Sequence, residues 1–398
     1  MKIAHLADAH LGFRQFQRLA ATGVNQREAD VAAAFTDAIE AVVARAPDAV
    51  IIAGDLFHSV RPTNRSIIHA FTHLSRLRRA LPDAPVVLIA GNHDTPRSSE
   101  VGSILQLLAS LGVDVVDETT RRIRYPALDL TVCAVPHAAL AGGRARDWRP
   151  DPASRHNVLV MHPEISEVFA HSDHADYGGA RVEAVELKAH EWSYVALGHY
   201  HVRTEVTPHA WYAGSLEYTS PNIWGERREE ERALREGHDV GKGFLAVDLG
   251  TGAVEAVRLP SRRRVHDLPR LDASEMTAAQ LDAAIQGRVA GVAGGLAGTV
   301  TRLVVDNVPR ALAHAIDHAL VRELKAQALH FHLDLRRPEP AHRATGVGAP
   351  GPRRTMPDVV ADYLGRRPLD SDLDRARLVA LGREYVVAVE KALAEDGA

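Results

Sequence analysis

The fold is decided by residues 49–58, Ala-Val-Ile-Ile-Ala-Gly-Asp-Leu-Phe-His, in which an apolar run ends in a carboxylate. Residues 50–53 are mostly β-branched and lie between Pro47-Asp48 and Gly54, which predicts a short buried strand. Gly54 permits a sharp turn or a close approach of another group. Asp55 then follows the end of the strand, where ligands bind in open α/β sheets. Asp55 is therefore a candidate ligand.

Four further apolar runs end in Asp, His or Asn. They are followed by Asp8-Ala9-His10, by Gly91-Asn92-His93-Asp94, by His162 and by Gly198-His199-Tyr200-His201. A single Asp or His after a strand is most often a solvated loop residue or a hydrogen-bonded core group. Five such endings in one chain favour a metal site, because parallel strands bring their carboxyl ends to one edge of a sheet.

The composition is that of an ordinary globular protein, and it excludes a strongly basic nucleic-acid-binding protein and a disulfide-rich protein. The chain has 398 residues, of which 46% are hydrophobic and 25% charged, so we expect two to three domains. With a net charge of −4, the protein as a whole does not attract nucleic acid electrostatically. Any binding of nucleic acid must therefore come from local basic patches. With Cys133 as the single cysteine, the chain has neither a disulfide framework nor a thiolate metal cage.

Two features of the sequence bear on its compartment. No apolar run approaches the roughly 20 residues of a membrane span. Met1-Lys2 leads directly into the first predicted strand, so a cleavable signal sequence would remove Asp8 and His10. We therefore expect a cytoplasmic protein without a membrane partner.

Apolar periodicity predicts an α/β domain over residues 1–255. A helix over residues 26–44 separates the first two strands, and such a βαβ unit favours a parallel sheet covered by helices. Two further helices are predicted over residues 66–80 and 101–111. From residue 113 the pattern changes to strands, at 113–117, 121–125 and 130–135, which suggests a second sheet.

Beyond this domain the pattern predicts three more segments. Residues 256–337 have the order helix, strand, helix and strand (277–291, 299–305, 308–328 and 329–335), a small α+β domain. Residues 338–355 are rich in proline and glycine and predict a flexible linker. Residues 356–398 have the apolar spacing of a pair of amphipathic helices.

The side chains at the strand ends are too many for one tetrahedral ion. Two ions bridged by one carboxylate accommodate them, with Asp8, His10, Asp55 and His201 on one and Asp55, Asn92, His162 and His199 on the other. Mixed oxygen and imidazole donors suit Mn, Fe or Zn. A pair of ions about 3.5–4 Å apart is typical of in-line displacement at phosphorus. His93 is then a candidate general acid for the leaving oxygen, with Asp94 orienting its ring.

These motifs carry a family resemblance. Asp8-x-His10, Gly54-Asp55, Gly91-Asn92-His93-Asp94, His162 and Gly198-His199-x-His201 are similar to the signature of calcineurin-like metallophosphoesterases. Within that superfamily, residues 7–12 and 54–58 resemble the SbcD-type nuclease subunit of the double-strand-break repair complex, over residues 1 to about 220. The resemblance implies a four-layer sandwich, two mixed sheets flanked by helices, with a capping domain (residues 256–337) and a C-terminal helical pair.

The same resemblance implies a function. It implies a Mn²⁺-dependent DNA exonuclease and endonuclease with two metal ions, acting on double-stranded ends, single strands or hairpins. His58 would help to position the DNA, and His93 would assist catalysis. The capping domain would contact DNA, the C-terminal helices would bind an SbcC-type ATPase, and the protein would be associated with the nucleoid. Residues 214–221 depart from the family, which often has a more charged stretch there.

Several alternatives remain open from the sequence. The chain is a DNA nuclease, a phosphatase or phosphodiesterase of small molecules, or an inactive structural subunit. Helices 66–80 and 101–111 are either core or the face of a homodimer. The arginine clusters at residues 121–122, 262–264 and 336–337 are either solvated or in contact with phosphates. The C-terminal helices either pack on their own domain or bind a partner.

Overall fold

The computed structural model describes residues 1–96, 102–142, 148–170, 172, 178–338, 355–366 and 374–395. The chain divides into two units, Met1–Pro338 and Glu339–Ala398, which are described separately. Among the helices in the described ranges, none combines the length and the apolar character that crossing a membrane requires.

The secondary structure alternates strands and helices through most of the first unit. The strands are β1 (Lys2–Leu6), β2 (Ala49–Ile52), β3 (Val86–Ile89), β4 (Val113–Val116), β5 (Arg121–Tyr125), β6 (Leu130–Val135), β7 (His156–Met161), β8 (Pro163–Ile165), β9 (Ala180–Val182), β10 (Tyr194–Leu197), β11 (Thr204–Thr207), β12 (Ala210–Tyr212), β13 (Gly243–Asp248), β14 (Ala253–Arg258), β15 (Val265–Asp272), β16 (Val300–Asp306) and β17 (His330–Leu335). The α-helices are α1 (Gln26–Arg45), α2 (Asn64–Ala80), α3 (His137–Ala141), α4 (Ser166–Phe169), α5 (Ile223–Arg235), α6 (Ala278–Ala290), α7 (Arg310–Ala315), α8 (His318–Gln327), α9 (Met356–Arg366) and α10 (Arg375–Glu395). Short 3₁₀ helices lie at Ile104–Leu111, Pro126–Leu128, Ala184–Leu187 and Ala189–Glu191.

Two mixed six-stranded sheets form the centre of the first unit. The first has the order β14-β13-β1-β2-β3-β4, and the second has the order β11-β12-β10-β7-β6-β5. Strands β1 to β4 are parallel, as are β6, β7, β10 and β12, and antiparallel strands complete both sheets. The carboxyl ends of β1, β2 and β3 therefore share one edge of the first sheet, and those of β7 and β10 share one edge of the second.

Apolar side chains fill the space between the sheets and cover both outer faces. The inner core includes Ile51 and Val87 from the first sheet and Val160 from the second. Helices α1 and α2 cover the outer face of the first sheet. The outer face of the second is covered by residues of α3, α4 and α5. The predicted four-layer sandwich of two mixed sheets flanked by helices is confirmed.

The structure corrects three details of the prediction. Strand β4 pairs with β3, so it belongs to the first sheet instead of opening the second. The helix predicted over residues 101–111 is a 3₁₀ helix, Ile104–Leu111, and residue 101 lies outside the described residues. The boundary predicted after residue 255 falls within β14, which pairs with β13 as far as Arg258.

The segment after β14 forms a subdomain with its own core. Parallel strands β15, β16 and β17 make a three-stranded sheet, against which α6, α7 and α8 pack. Strand β15 was not predicted. The single helix expected over residues 308–328 is divided into α7 and α8, because the Asp317 side chain caps the first amides of α8.

An arginine cluster attaches this subdomain to α1. The guanidinium of Arg263 donates to both carboxylate oxygens of Asp30, each at 2.8 Å, and Arg262 bonds Asp37. Arg264 donates to the backbone carbonyls at residues 293–295. These arginines therefore join parts of the chain to one another. This structural role differs from both alternatives that the sequence left open, which were solvated side chains and contacts with phosphates.

The second unit contains α9 and α10, which pack against each other. A Cβ on Gly382 would lie 2.5 Å from Cδ1 of Leu364, so glycine allows the two helices to approach closely. Large apolar side chains on this pair are exposed, among them Met356, Tyr363, Leu381 and Tyr385. The predicted linker lies largely outside the described residues.

Candidate metal centre

Backbone geometry directs side chains from the strand ends into one site. Asp8 and Asp55, which follow β1 and β2, have φ of 52° each, and His10 and His199 have φ of 47° and 98°. Residues other than glycine seldom adopt this left-handed region, and such strain is found preferentially at functional sites. The surrounding sheets hold these four residues in it.

Glycines beside the candidate ligands leave the room that the site needs. A Cβ on Gly54 would lie 2.3 Å from Nδ1 of His162, and one on Gly91 would lie 2.1 Å from Oδ1 of Asp55. A Cβ on Gly198 would lie 2.0 Å from the carbonyl oxygen of Ala53. Close approach thus explains the glycine before Asp55, Asn92 and His199 in the three motifs.

The first group of donors consists of Asp8, His10 and His201. Their ligand atoms all lie within 4.8 Å of one another, and all three side chains are buried. The Nε2 atoms of His10 and His201 are 3.0 Å apart. The carboxylate of Asp8 accepts the backbone N–H of His199 at 3.0 Å, which fixes it beside the second sheet.

The second group consists of Asp55, His162 and His199, with Asn92 beside them. Nε2 of His162 lies 3.2 Å from Oδ2 of Asp55 and 3.1 Å from Oδ1 of Asn92. Nδ1 of His199 lies 3.0 Å from the same oxygen of Asn92. Nδ1 of His162 donates to the carbonyl oxygen of Ala53 at 2.7 Å, which leaves Nε2 free to act as a donor to a metal.

One carboxylate oxygen faces both groups. Oδ2 of Asp55 lies 3.7 Å from Nε2 of His10, in the first group, and 3.2 Å from Nε2 of His162, in the second. The other oxygen, Oδ1, accepts the backbone N–H of His93 at 2.9 Å. Asp55 is thus held by one oxygen, while the other lies between the two groups.

The electrostatics of the site call for positive charge. Burial lowers the pKa of His162, but the charge and hydrogen bond of Asp55 and the charge of Asp8 outweigh it and raise that pKa to about 9. Burial raises the pKa of Asp55, and the charge and hydrogen bond of His162 bring it well below its ordinary value. Burial lowers the pKa of His10, which favours the neutral imidazole that binds metals.

His58 and His93 form a third group with His10 at the margin of the site. The rings of His58 and His93 are stacked, with centroids 5.1 Å apart, and the His93 ring lies 4.8 Å from that of His10. Nδ1 of His93 lies 2.8 Å from the carbonyl oxygen of His58. Both rings are only partly buried, so they are partly accessible to solvent at the margin of the donor groups.

Asp94, which was predicted to orient the ring of His93, binds backbone amides of two loops. Its carboxylate is buried and accepts the backbone N–H groups of Leu56 and Phe57, each at 3.0 Å, and that of Gly91 at 3.3 Å. Burial and then the charge of Asp55 raise its pKa to about 7. Asp94 thus ties the loop after β2 to the loop after β3, while the carbonyl oxygen of His58 orients the ring of His93.

This donor set fits divalent metal ions. It consists of carboxylate, amide and imidazole donors without sulfur, and two buried carboxylates share it with imidazoles whose nitrogens converge. A buried carboxylate is stable only when it is paired or bound to a cation. Sequence reasoning missed two buried glutamates behind the site, Glu164 and Glu226. Glu226 lies in the charged sequence of α5, which resembles a solvated helix.

Comparisons with known proteins agree with this site. The chain belongs to the calcineurin-like phosphoesterase family, whose model matches residues 1–203. The DNA double-strand break repair protein Mre11 of Archaeoglobus fulgidus is 32% identical over 269 residues, which cover 62% of this chain and 57% of that protein. The proteins of the same name from Sulfurisphaera tokodaii and Thermoplasma acidophilum are 29% and 26% identical, over 51% and 64% of this chain and 49% and 64% of theirs.

The predicted membership of this superfamily is confirmed. The chain spans between about half and two thirds of the length of the three relatives.

Proposed function

We propose that this protein is a metal-dependent nuclease that hydrolyses phosphodiester bonds of DNA in double-strand-break repair. The observation that carries the proposal is the position of Oδ2 of Asp55 between two groups of buried donors. Such a carboxylate suits a pair of ions, and pairs of ions are the usual catalysts of displacement at phosphorus. The similarity to DNA double-strand break repair proteins supports DNA as the substrate.

In this proposal Asp55 would contribute a donor to both ion sites. Asp8, His10 and His201 complete the donors of the first ion, and Asn92, His162 and His199 complete those of the second. We assign Mn²⁺ to both positions, because mixed oxygen and imidazole donors suit it. The family resemblance supports the same choice.

The residues of the chain divide the work of the reaction. When bound, a pair of divalent ions supplies an activated water and neutralises charge on the phosphate oxygens. His93 gives a proton to the leaving oxygen, and the carbonyl oxygen of His58 holds its ring in place. The partly buried His58 ring, stacked on His93, positions the DNA strand. Asp94 keeps the two ligand-bearing loops together.

Two surfaces suit protein partners. The C-terminal pair α9 and α10 exposes Met356, Tyr363 and Tyr385, at 61%, 61% and 70% of their surfaces, a stripe that another chain would cover. We propose an SbcC-type ATPase there. Helix α2 and the 3₁₀ helix Ile104–Leu111 expose Ile68 and Leu107, which supports a homodimer through this face.

One assay separates this function from its alternatives. Labelled double-stranded DNA and a generic phosphodiester, bis-p-nitrophenyl phosphate, are incubated with the full chain in Mn²⁺ or in chelator, with Asp55→Ala as the inactive control. We expect degradation of the DNA that depends on Mn²⁺ and is absent with Asp55→Ala. Hydrolysis of the small ester alone would favour a small-molecule phosphodiesterase. Inactivity on both substrates would favour a structural subunit.

A further inference from the structure

The two histidines of the His199-x-His201 motif are each backed by a buried glutamate. His199 directs Nδ1 to Asn92, and its Nε2, on the opposite side of the ring, lies 3.6 Å from Oε1 of Glu164. His201 directs Nε2 to His10, and its Nδ1 lies 3.9 Å from Oε2 of Glu226. His199 thus faces the donor groups with Nδ1, and His201 faces them with Nε2. In each ring, the other nitrogen lies near a carboxylate.

Backbone amides hold Glu164 in place. Oε1 accepts the N–H of Gly179 at 2.8 Å and that of Gly178 at 3.4 Å, and Oε2 lies 3.5 Å from Nε of Arg181. A Cβ on Gly179 would lie 2.5 Å from Cγ of Glu164 and 2.7 Å from Nε2 of His199. This glycine therefore allows the glutamate to reach the ring.

A buried ammonium group holds Glu226. Nζ of Lys242 bonds Oε1 of Glu226 and lies 3.0 Å from Glu230. It also donates to the carbonyl oxygen of His201 at 3.2 Å and to Oγ of Ser215 at 3.1 Å. Both side chains of this ion pair are fully buried. Stability alone does not account for such a pair, because a buried ion pair is often no more stable than an apolar replacement.

We propose that Glu164 and Glu226 are positioning residues, each serving one metal ion. Glu226, anchored by Lys242, orients His201 for the ion of the first donor group, and Glu164 orients His199 for the ion of the second. The inference rests on the proposed function. A carboxylate beside the second nitrogen of a ligating imidazole fixes the tautomer and makes the ligating nitrogen more basic. The hydroxyl of Thr219, 3.5 Å from Nδ1 of His201, shares that role on the first side.

The test uses Glu164→Gln and Glu226→Gln in the full chain, which remove the charge and keep the shape. Calorimetric titration with Mn²⁺ measures stepwise affinities, electron paramagnetic resonance detects the coupled pair of ions, and anomalous diffraction locates any ion that remains. Each variant weakens one ion about 10–100-fold, the range for such supporting carboxylates, and leaves the other ion in place. Anomalous scattering stays at the second group in Glu226→Gln and at the first group in Glu164→Gln.

The matched control is Glu229→Gln. Glu229 lies on the same buried face of α5, where it bonds the hydroxyl groups of Tyr200 and Ser172. Both Mn²⁺ affinities should stay within about twofold of those of the wild type. If Glu226→Gln fails to fold, the triple substitution Glu226→Leu, Glu230→Gln, Lys242→Met removes the ammonium group together with both carboxylates that pair with it, and it is expected to fold and to show the same loss of one ion.

The outcomes separate the two proposals. A wild-type chain that binds no Mn²⁺ overturns the proposed function. A wild-type chain that binds two ions, with both variants binding them at full affinity, overturns only the positioning role. Equal weakening of both ions in either variant also overturns it, because a general loss of structure would act in that way.

Discussion

Gly91 lies so close to Asp55 that a Cβ on Gly91 would be 2.1 Å from Oδ1 of the carboxylate. Gly91→Ala must therefore displace Asp55 or the loop after β3. We expect a loss of about 1–3 kcal/mol in the free energy of unfolding, as in other overpacked sites, and a loss of Mn²⁺ affinity. Denaturant titration and calorimetry measure the two effects.

The control for Gly91→Ala is Gly287→Ala in helix α6, where a Cβ would meet nothing within 4 Å. Alanine is favoured over glycine within a helix by about 0.5–1 kcal/mol, so this variant should be slightly more stable than the wild type. If Gly91→Ala keeps both metal affinity and stability, the site is looser than its geometry indicates.

His93→Ala separates chemistry from binding. Because His93 borders the donor groups without being a proposed ligand, the variant should keep two metal ions and its affinity for DNA. DNA cleavage should fall roughly 10²–10⁴-fold, the range for loss of a general acid. His190, exposed at the surface, supplies the control His190→Ala, which should cleave normally. Cleavage by His93→Ala within a few-fold of the wild-type rate would mean that water protonates the leaving oxygen.

The salt bridge between Asp30 and Arg263 predicts a pH dependence of stability. Burial raises the pKa of Asp30, but hydrogen bonds from Arg263 and Gln26 and the charge of Arg27 bring it below its ordinary value. Its stabilising effect is therefore complete above about pH 4 and is lost as the pH falls through the pKa of the folded state. Asp30→Asn should reduce the free energy of unfolding by about 1–3 kcal/mol at pH 7.

Denaturant titrations at several pH values between 7 and 3 measure this difference, which should shrink below pH 4. The exposed pair of Arg45 and Glu255 is the control, and Glu255→Gln should change stability by less than about 1 kcal/mol at any of these pH values. A difference for Asp30→Asn that persists undiminished at pH 3 would assign the effect to packing instead of charge.

The candidate ligands could be predicted from the sequence because each follows a recognisable strand, and ligands in α/β proteins lie at the carboxyl ends of strands. A β-branched run such as residues 50–53 specifies a buried strand, and the rule that parallel strands end at one edge of a sheet brings Asp8, Asp55 and Asn92 together. His162 and His199 follow strands of the second sheet, so the packing of the two sheets is also needed to bring them to the same site. The structure places all seven candidate ligands in two adjoining groups, with Asn92 beside the second. Whether each binds a metal stays a prediction.

The support behind the ligands could not be predicted in the same way. Helix α5 has the sequence of a solvated helix, yet Glu226, Glu229 and Glu230 on it are buried. Their partners, such as Lys242 and the hydroxyl of Tyr218, lie elsewhere along the chain or on other elements. Burial of these charges is a tertiary effect, and neither periodicity nor composition reports it.

We expect the C-terminal helices to bind the ATPase without being needed for the nuclease activity. Truncation after Pro352 removes α9 and α10 with their exposed apolar side chains. The shortened chain should fold, bind two metal ions and digest single-stranded DNA at an unchanged rate, but it should no longer co-purify with the ATPase. Co-expression, affinity purification and nuclease assays measure these properties. An aggregated truncation would indicate that the helices pack on their own domain, and one that still binds the ATPase would place the binding surface elsewhere.

Metal analysis of Asp55→Ala is the most direct test of a pair of ions joined by this carboxylate. The wild type and the variant are dialysed against Mn²⁺, and bound metal is measured per chain by atomic emission, with His93→Ala as the control that should keep two ions. We expect two ions in the wild type, almost none in Asp55→Ala, and loss of nearly all DNA cleavage with them. Two ions retained in Asp55→Ala would contradict the bridging role of Asp55.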